Sequence, residues 1–162
     1  MLVRYNFPLM TRKTAGAGHT PRPLAPKKNY CFACGKDNPG GMRLKFALEK
    51  DGTGFVSRFT LSKRYTGPPG HCHGGIIATI LDDAMSKLNK LRGVIAVTSQ
   101  MKIDYLKPVP LQTRLRVQSR AVAKRGRRLV HEAEIVNEGG KVLARSRGVF
   151  VIVDPARLFA RK

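Results

Sequence analysis

Apolar and polar residues alternate along this chain with two different periods. Between His73 and Gly93 the apolar positions Ile76, Ile77, Ile80, Leu81, Ala84, Leu88 and Leu91 recur at the spacing of one helical face. This predicts a helix over about 75–91, stopped by a basic residue and a glycine at Arg92-Gly93. Elsewhere the pattern is strand-like. Met42 to Glu49 places Leu44, Phe46 and Leu48 on one face, and Phe55 to Leu61 reads as a second strand. Four more candidates follow the helix: Val94 to Leu106, Gln112 to Lys124, Arg127 to Asn137, and Lys141 to Val153. Turn residues at 51–54, 107–110, 125–126 and 138–140 separate the strands. Consecutive strands with short turns predict an antiparallel meander. One long helix against such a sheet gives an α+β fold with the helix on the concave face.

Composition sets the outer limits. The 162 residues, 42% of them hydrophobic, suffice for one globular domain. No apolar run approaches the roughly 18 residues that span a bilayer. Residues 1–29 contain no acid and a Pro-rich run at 21–26, so they read as a flexible basic arm. The lack of acids also permits a transit-peptide reading, which the absence of serine weakens. Residues 30–153 form the expected folded domain and 154–162 a C-terminal tail. Three cysteines make no disulfide framework, which points to a reducing, cytoplasmic setting. The formal net charge of +21 attracts anions: nucleic acid, acidic lipid or a phosphorylated small molecule.

The helix start carries the most suggestive chemistry. His73-Gly74-Gly75 leaves first-turn N–H groups open to a ligand, and His73 either caps the helix or lines the turn. Asp82 and Asp83 interrupt the apolar run further along. Asp83 has Lys87 four residues later, the order of a solvent-facing ion pair, whereas Asp82 has Ser86 there and no cation in reach. An unpaired carboxylate at the edge of an apolar face gains proton affinity, as a base requires. The pair Cys31/Cys34 reads first as a tight turn with small sulfur side chains. A zinc site there would need two more ligands, from His71, Cys72 or His73, so no metal is assigned. Lys124, Arg125, Arg127 and Arg128 gather at a hairpin tip suited to phosphates.

Three segments in order carry a family resemblance: Cys31-Phe32-Ala33-Cys34-Gly35 with Asn38-Pro39-Gly40-Gly41-Met42-Arg43-Leu44, His73-Gly74-Gly75 with Leu81-Asp82-Asp83-Ala84-Met85, and Tyr105-Leu106-Lys107-Pro108-Val109-Pro110. Together they resemble the PaaI-type hotdog-fold acyl-CoA thioesterases over residues 30–153. The resemblance implies a curved antiparallel sheet wrapped around one central helix, an acyl-CoA substrate, no cofactor, and a homodimer or dimer of dimers. It implies that Asp82 is the catalytic carboxylate, that the Gly74 N–H polarises the thioester carbonyl, and that Thr98 positions water or the carboxylate. His73 and Gly75 are expected to touch substrate, with the four basic tip residues on coenzyme A phosphates. Some relatives carry an Asn or Gln where this chain has Gly67, so that role stays unassigned.

Gly74 and Asp82 are eight residues apart, about 12 Å along a helix. One chain therefore cannot bring both to one carbonyl, and the assignment requires a partner chain. The competing reading is a non-catalytic acyl-CoA-binding or nucleic-acid-binding hotdog module. Against nucleic acid stand an aromatic content of only 7% and the absence of Trp. A hydratase is disfavoured because no paired Asp and His stand on the helix.

Overall fold

The computed structural model describes residues 28–158. The basic arm falls almost wholly outside the described residues, as does the end of the tail. Six strands make one antiparallel sheet: β1 (Ala47–Leu48), β2 (Gly54–Thr60), β3 (Ala96–Tyr105), β4 (Arg114–Arg125), β5 (Arg128–Asn137) and β6 (Val142–Ile152). The long helix α1 (Gly74–Leu91) packs against β2 to β6, and a short helix α2 (Pro155–Leu158) follows the sheet.

The predicted helix and five of the six predicted strands form within one or two residues of their expected limits. The first strand is the exception, because only Ala47–Leu48 pairs with β2. Residues before it bond elsewhere: the Met42 N–H donates to Phe32 O and the Leu44 N–H to Ala33 O. Arg43 at φ 54° also breaks the extended run. Leu44 is consequently buried under the Cys31–Gly35 turn, while Leu48 stays exposed.

The strand order β1-β2-β4-β5-β6-β3 corrects the expected meander. Of the four strands after the helix, only β4, β5 and β6 follow one another as neighbours. β3 lies at the far edge beside β6, and the chain crosses back to β4 through residues 106–113. That connection carries Pro108 and Pro110, which do not suit a tight hairpin. Instead it docks against the approach to α1: Val109 is buried, and its carbonyl accepts from the Cys72 N–H at 2.8 Å.

Helical spacing explains the core. Ile77, Ile80, Leu81, Ala84, Met85 and Leu88 face Leu115, Val117, Leu129, Ala133, Ile135 and Phe150 of the sheet. Each of these side chains other than the two alanines, taken from water, is worth about 1.5–3 kcal/mol. Leu91, expected on this face, is 44% exposed because the helix ends there. Gly148 marks a close approach of helix and sheet: a Cβ there would come within 3.1 Å of the Met85 sulfur. One polar pair enters the core, His131 Nε2 to Asn89 Oδ1 at 3.1 Å, with the imidazole 5.2 Å from the Phe150 ring.

Candidate active site at the start and middle of helix α1

The turn before α1 is tied down before the helix begins. The His73 N–H donates to Tyr65 O, and the Gly67 N–H donates to His71 O, both at 2.9 Å. Gly67 packs so closely that a Cβ would come within 2.7 Å of the His73 Cα. This explains the departure at Gly67: no side chain fits there in this conformation, so no Asn or Gln amide is available from it.

His73 is the N-cap of α1. Its Nδ1 accepts from the Gly75 N–H at 3.0 Å. Of the three residues His73-Gly74-Gly75, this leaves the Gly74 N–H as the helix-start donor without a hydrogen-bond partner among the described residues. It sits at the positive end of the helix dipole. Tyr105, at the end of β3, reaches over this turn and donates its hydroxyl to Gly74 O at 3.2 Å. The Tyr105 segment carries part of the resemblance, but no role for Tyr105 is legible in the sequence, because strand β3 meets the helix start only in three dimensions.

Two turns further on, the adjacent acids part company. Asp82 is half-buried, and its Oδ1 accepts a 2.7 Å hydrogen bond from the Thr98 hydroxyl. Burial pushes the Asp82 carboxyl above the usual carboxylate range; the Thr98 bond opposes this, and the neighbouring Asp83 charge adds to it. Thr98 is placed by a β-bulge. It pairs with Phe150 and Gln100 pairs with Val149, so Ser99 is the extra residue, its hydroxyl tied to Val149 O at 3.0 Å. Such a bulge turns the neighbouring side chain toward the helix. No local sequence signal announces it.

Asp83 is paired with Lys87 at 2.9 Å, as its spacing predicts, but the pair is not solvent-facing. The side chains are only 10% and 12% exposed, since the 31–44 segment covers them. Cys34 joins the pair: Lys87 Nζ donates to its sulfur at 2.8 Å, and its thiol lies 3.4 Å from Asp83 Oδ1. Burial pushes the Cys34 thiol up to about 11. Cys72 is buried apart from this cluster, its thiol directed at His73 O and likewise raised to about 11 by burial.

The basic tip forms as expected. Arg125 pairs with Arg128 across the turn Gly126-Arg127, with Gly126 at φ 56°. Lys124, Arg125, Arg127 and Arg128 are all exposed. Leu129, Phe150 and Thr98 occupy one row across β5, β6 and β3. The tip therefore begins one row beyond Thr98 and two strands away, about 10 Å across the sheet. Asp82 and Thr98 are in contact and Gly74 stands at the far end of the same helix, so one chain does not gather all the predicted groups at one point.

Comparison with known proteins follows the same lines. A family model described as thioesterase superfamily matches residues 69–144, from the turn before α1 into β6. An acyl-coenzyme A thioesterase, THEM4 of Rattus norvegicus, is 34% identical over 90 residues, which is 55% of this chain and 39% of the rat protein. The chain thus spans about two fifths of that relative's length. Among solved structures, the thioesterase superfamily protein RHA08564 superposes with a TM-score of 0.72 at 28% identity, over 76% of this chain and 60% of that one. The BH2602 protein from Bacillus halodurans, solved with CoA, gives a TM-score of 0.61 at 31% identity, over 68% of this chain and 74% of its own. The sheet order, the single long helix and these matches agree: this chain has the hotdog fold and belongs to the thioesterase superfamily.

Proposed function

We propose that this chain hydrolyses acyl-CoA thioesters at sites shared between two copies of itself. The observation that carries this reading is the half-buried Asp82 carboxylate held by Thr98, set about 12 Å along α1 from the free Gly74 N–H. The Gly74 N–H of one copy polarises the thioester carbonyl, and its field at the helix start stabilises the developing oxyanion. Asp82 of the other copy takes a proton from the attacking water or attacks the carbonyl carbon itself. The carbon–sulfur bond breaks, leaving a carboxylic acid and coenzyme A. Thr98 fixes one carboxylate oxygen and leaves the other for the reaction. Tyr105 holds the first turn of the helix through Gly74 O.

The edge of the sheet supports the dimer. β3 is a ten-residue edge strand whose Val97, Thr98, Ser99 and Gln100 are exposed, and a long bare edge is a template for pairing with a second strand. Pairing there would place a second copy beside Thr98 and Asp82. The exposed basic tip supports the ligand class, since coenzyme A carries phosphates, and the Bacillus halodurans relative was solved with CoA. Among the described residues no helix is long and apolar enough to cross a membrane.

The net charge of +21 favours a second reading, in which the same fold binds a polyanion without hydrolysis. Free-thiol release from a panel of acyl-CoAs, by the wild type and by Asp82→Asn, separates the two. Turnover that depends on Asp82 supports the esterase. Nucleic-acid binding with a steep salt slope and no thiol release supports the second reading.

A further inference from the structure

Cys34, Asp83 and Lys87 form a compact polar cluster that the reaction above does not use. The turn around it is tightly specified. The Gly35 N–H closes onto Cys31 O at 2.8 Å, and a Cβ at Gly35 would lie within 2.5 Å of three backbone atoms of Asn29 and Cys31. That turn brings both sulfurs of the Cys-x-x-Cys pair onto the flank of α1. Sγ of Cys31, Sγ of Cys34 and a carboxylate oxygen of Asp83 all lie within 4.8 Å of one another. Asp83 is only 8% exposed, and its Oδ2 is buried without a hydrogen-bond partner among the described residues. An orphaned buried carboxylate oxygen is costly and calls for a ligand.

We propose that Cys31, Cys34 and Asp83 bind one zinc ion, which clips the N-terminal turn to helix α1. The ligand set is one that zinc accepts: two thiolates and a carboxylate, with water in the fourth tetrahedral position. Hard cations such as Mg²⁺ and Ca²⁺ are excluded by the two sulfurs. Charge balance favours the exchange. With both thiols protonated, Asp83 and Lys87 sum to zero. When Zn²⁺ enters, two thiol protons leave to solvent, and two thiolates, one carboxylate, the ammonium and the dication again sum to zero. Lys87, already 2.8 Å from the Cys34 sulfur and 2.9 Å from Asp83 Oδ1, then serves as an outer donor that steadies both ligands. The histidines and third cysteine that spacing offered as partners, His71, His73 and Cys72, are not part of this cluster. Asp83 was hidden from such reasoning by lying 49 residues from Cys34.

The test uses the full chain, reduced and stripped with chelator, and Co²⁺ as a spectroscopic probe. The expected result is a thiolate-to-cobalt charge-transfer band that saturates at one equivalent and is displaced by Zn²⁺. Zn²⁺ should also raise the thermal midpoint of the wild type. Both effects should vanish in Cys31→Ser, whose exposed position leaves the fold intact, and in Cys34→Ser, and binding should weaken in Asp83→Asn. Absence of the band in the reduced wild type overturns the proposal, as does a band that persists in Cys31→Ser. Formation of a Cys31–Cys34 disulfide by a chain that binds no metal when reduced overturns it too.

Discussion

Asp82 and Asp83 are neighbours in sequence with opposite environments. Asp82 has a hydroxyl and, among the described residues, no paired cation; Asp83 has a buried ammonium and a thiol. Asp82→Asn keeps shape and removes the proposed base, so kcat should fall by roughly two to four orders of magnitude with little change in unfolding free energy. Asp83→Asn, compared in the presence of chelator, should do the reverse. Leaving Lys87 buried without its counter-charge costs about 3–5 kcal/mol, while turnover per folded molecule changes far less. Urea unfolding and thiol release, measured on both variants, check the pair; equal kinetic loss in both would remove the distinction. His131 makes a pH prediction. Burial, with the Arg92 charge nearby, pushes its imidazole down to about 4 from an ordinary value near 6.5. The unfolded chain therefore binds the extra proton first, so this contribution is intact above about 6.5 and is lost as pH falls toward 4. Between pH 7 and pH 5 the loss should be about 2 kcal/mol, seen in urea unfolding at the two pH values. His131→Gln, which keeps a donor for Asn89 but does not titrate, should flatten that dependence.

At the scale of elements, the sequence was most readable where one period ran long. The apolar stripe from Ile76 to Leu88 defined α1, and alternation defined β4, β5 and β6. It was least readable where long-range contacts decide. The 42–46 segment lost its ladder to bonds with the Cys31–Gly35 turn, and β3 moved to the far edge of the sheet. The Thr98–Asp82 contact depends on a bulge at Ser99, which no local pattern marks. The roles proposed for Thr98, Asp82 and Gly74 come from the family resemblance, which carries positions that spacing cannot. The β4–β5 tip can be tested as a unit. Neutralising Lys124, Arg125, Arg127 and Arg128 should raise KM several-fold and leave kcat nearly unchanged, since remote phosphate contacts hold ground and transition states alike. All four are exposed, so folding should survive. Salt should reproduce the effect in the wild type, because exposed charges are screened over about 10 Å at 0.1 M. A fall in kcat with KM unchanged would place the tip in another role.

For the whole molecule, the proposed function requires that one working site take its donor and its carboxylate from different chains. The structure makes a clean disabling change available at Gly74. Proline suits the first helical position, where its missing N–H breaks no hydrogen bond among the described residues. The nearest side chain to a Cβ at Gly74 would be Tyr105, at an ordinary 3.7 Å, and His73 before it has the extended conformation (φ −63°, ψ 137°) that proline requires. Gly74→Pro subunits thus keep Asp82 but lose the proposed carbonyl donor, while Asp82→Asn subunits keep that donor but lose the proposed base. The decisive measurement is thioester hydrolysis by mixtures of these two inactive variants after subunit exchange. Heterodimers should regain one working site each, up to half the wild-type rate per dimer. Confirmed heterodimers of folded subunits that stay inactive would contradict the shared site.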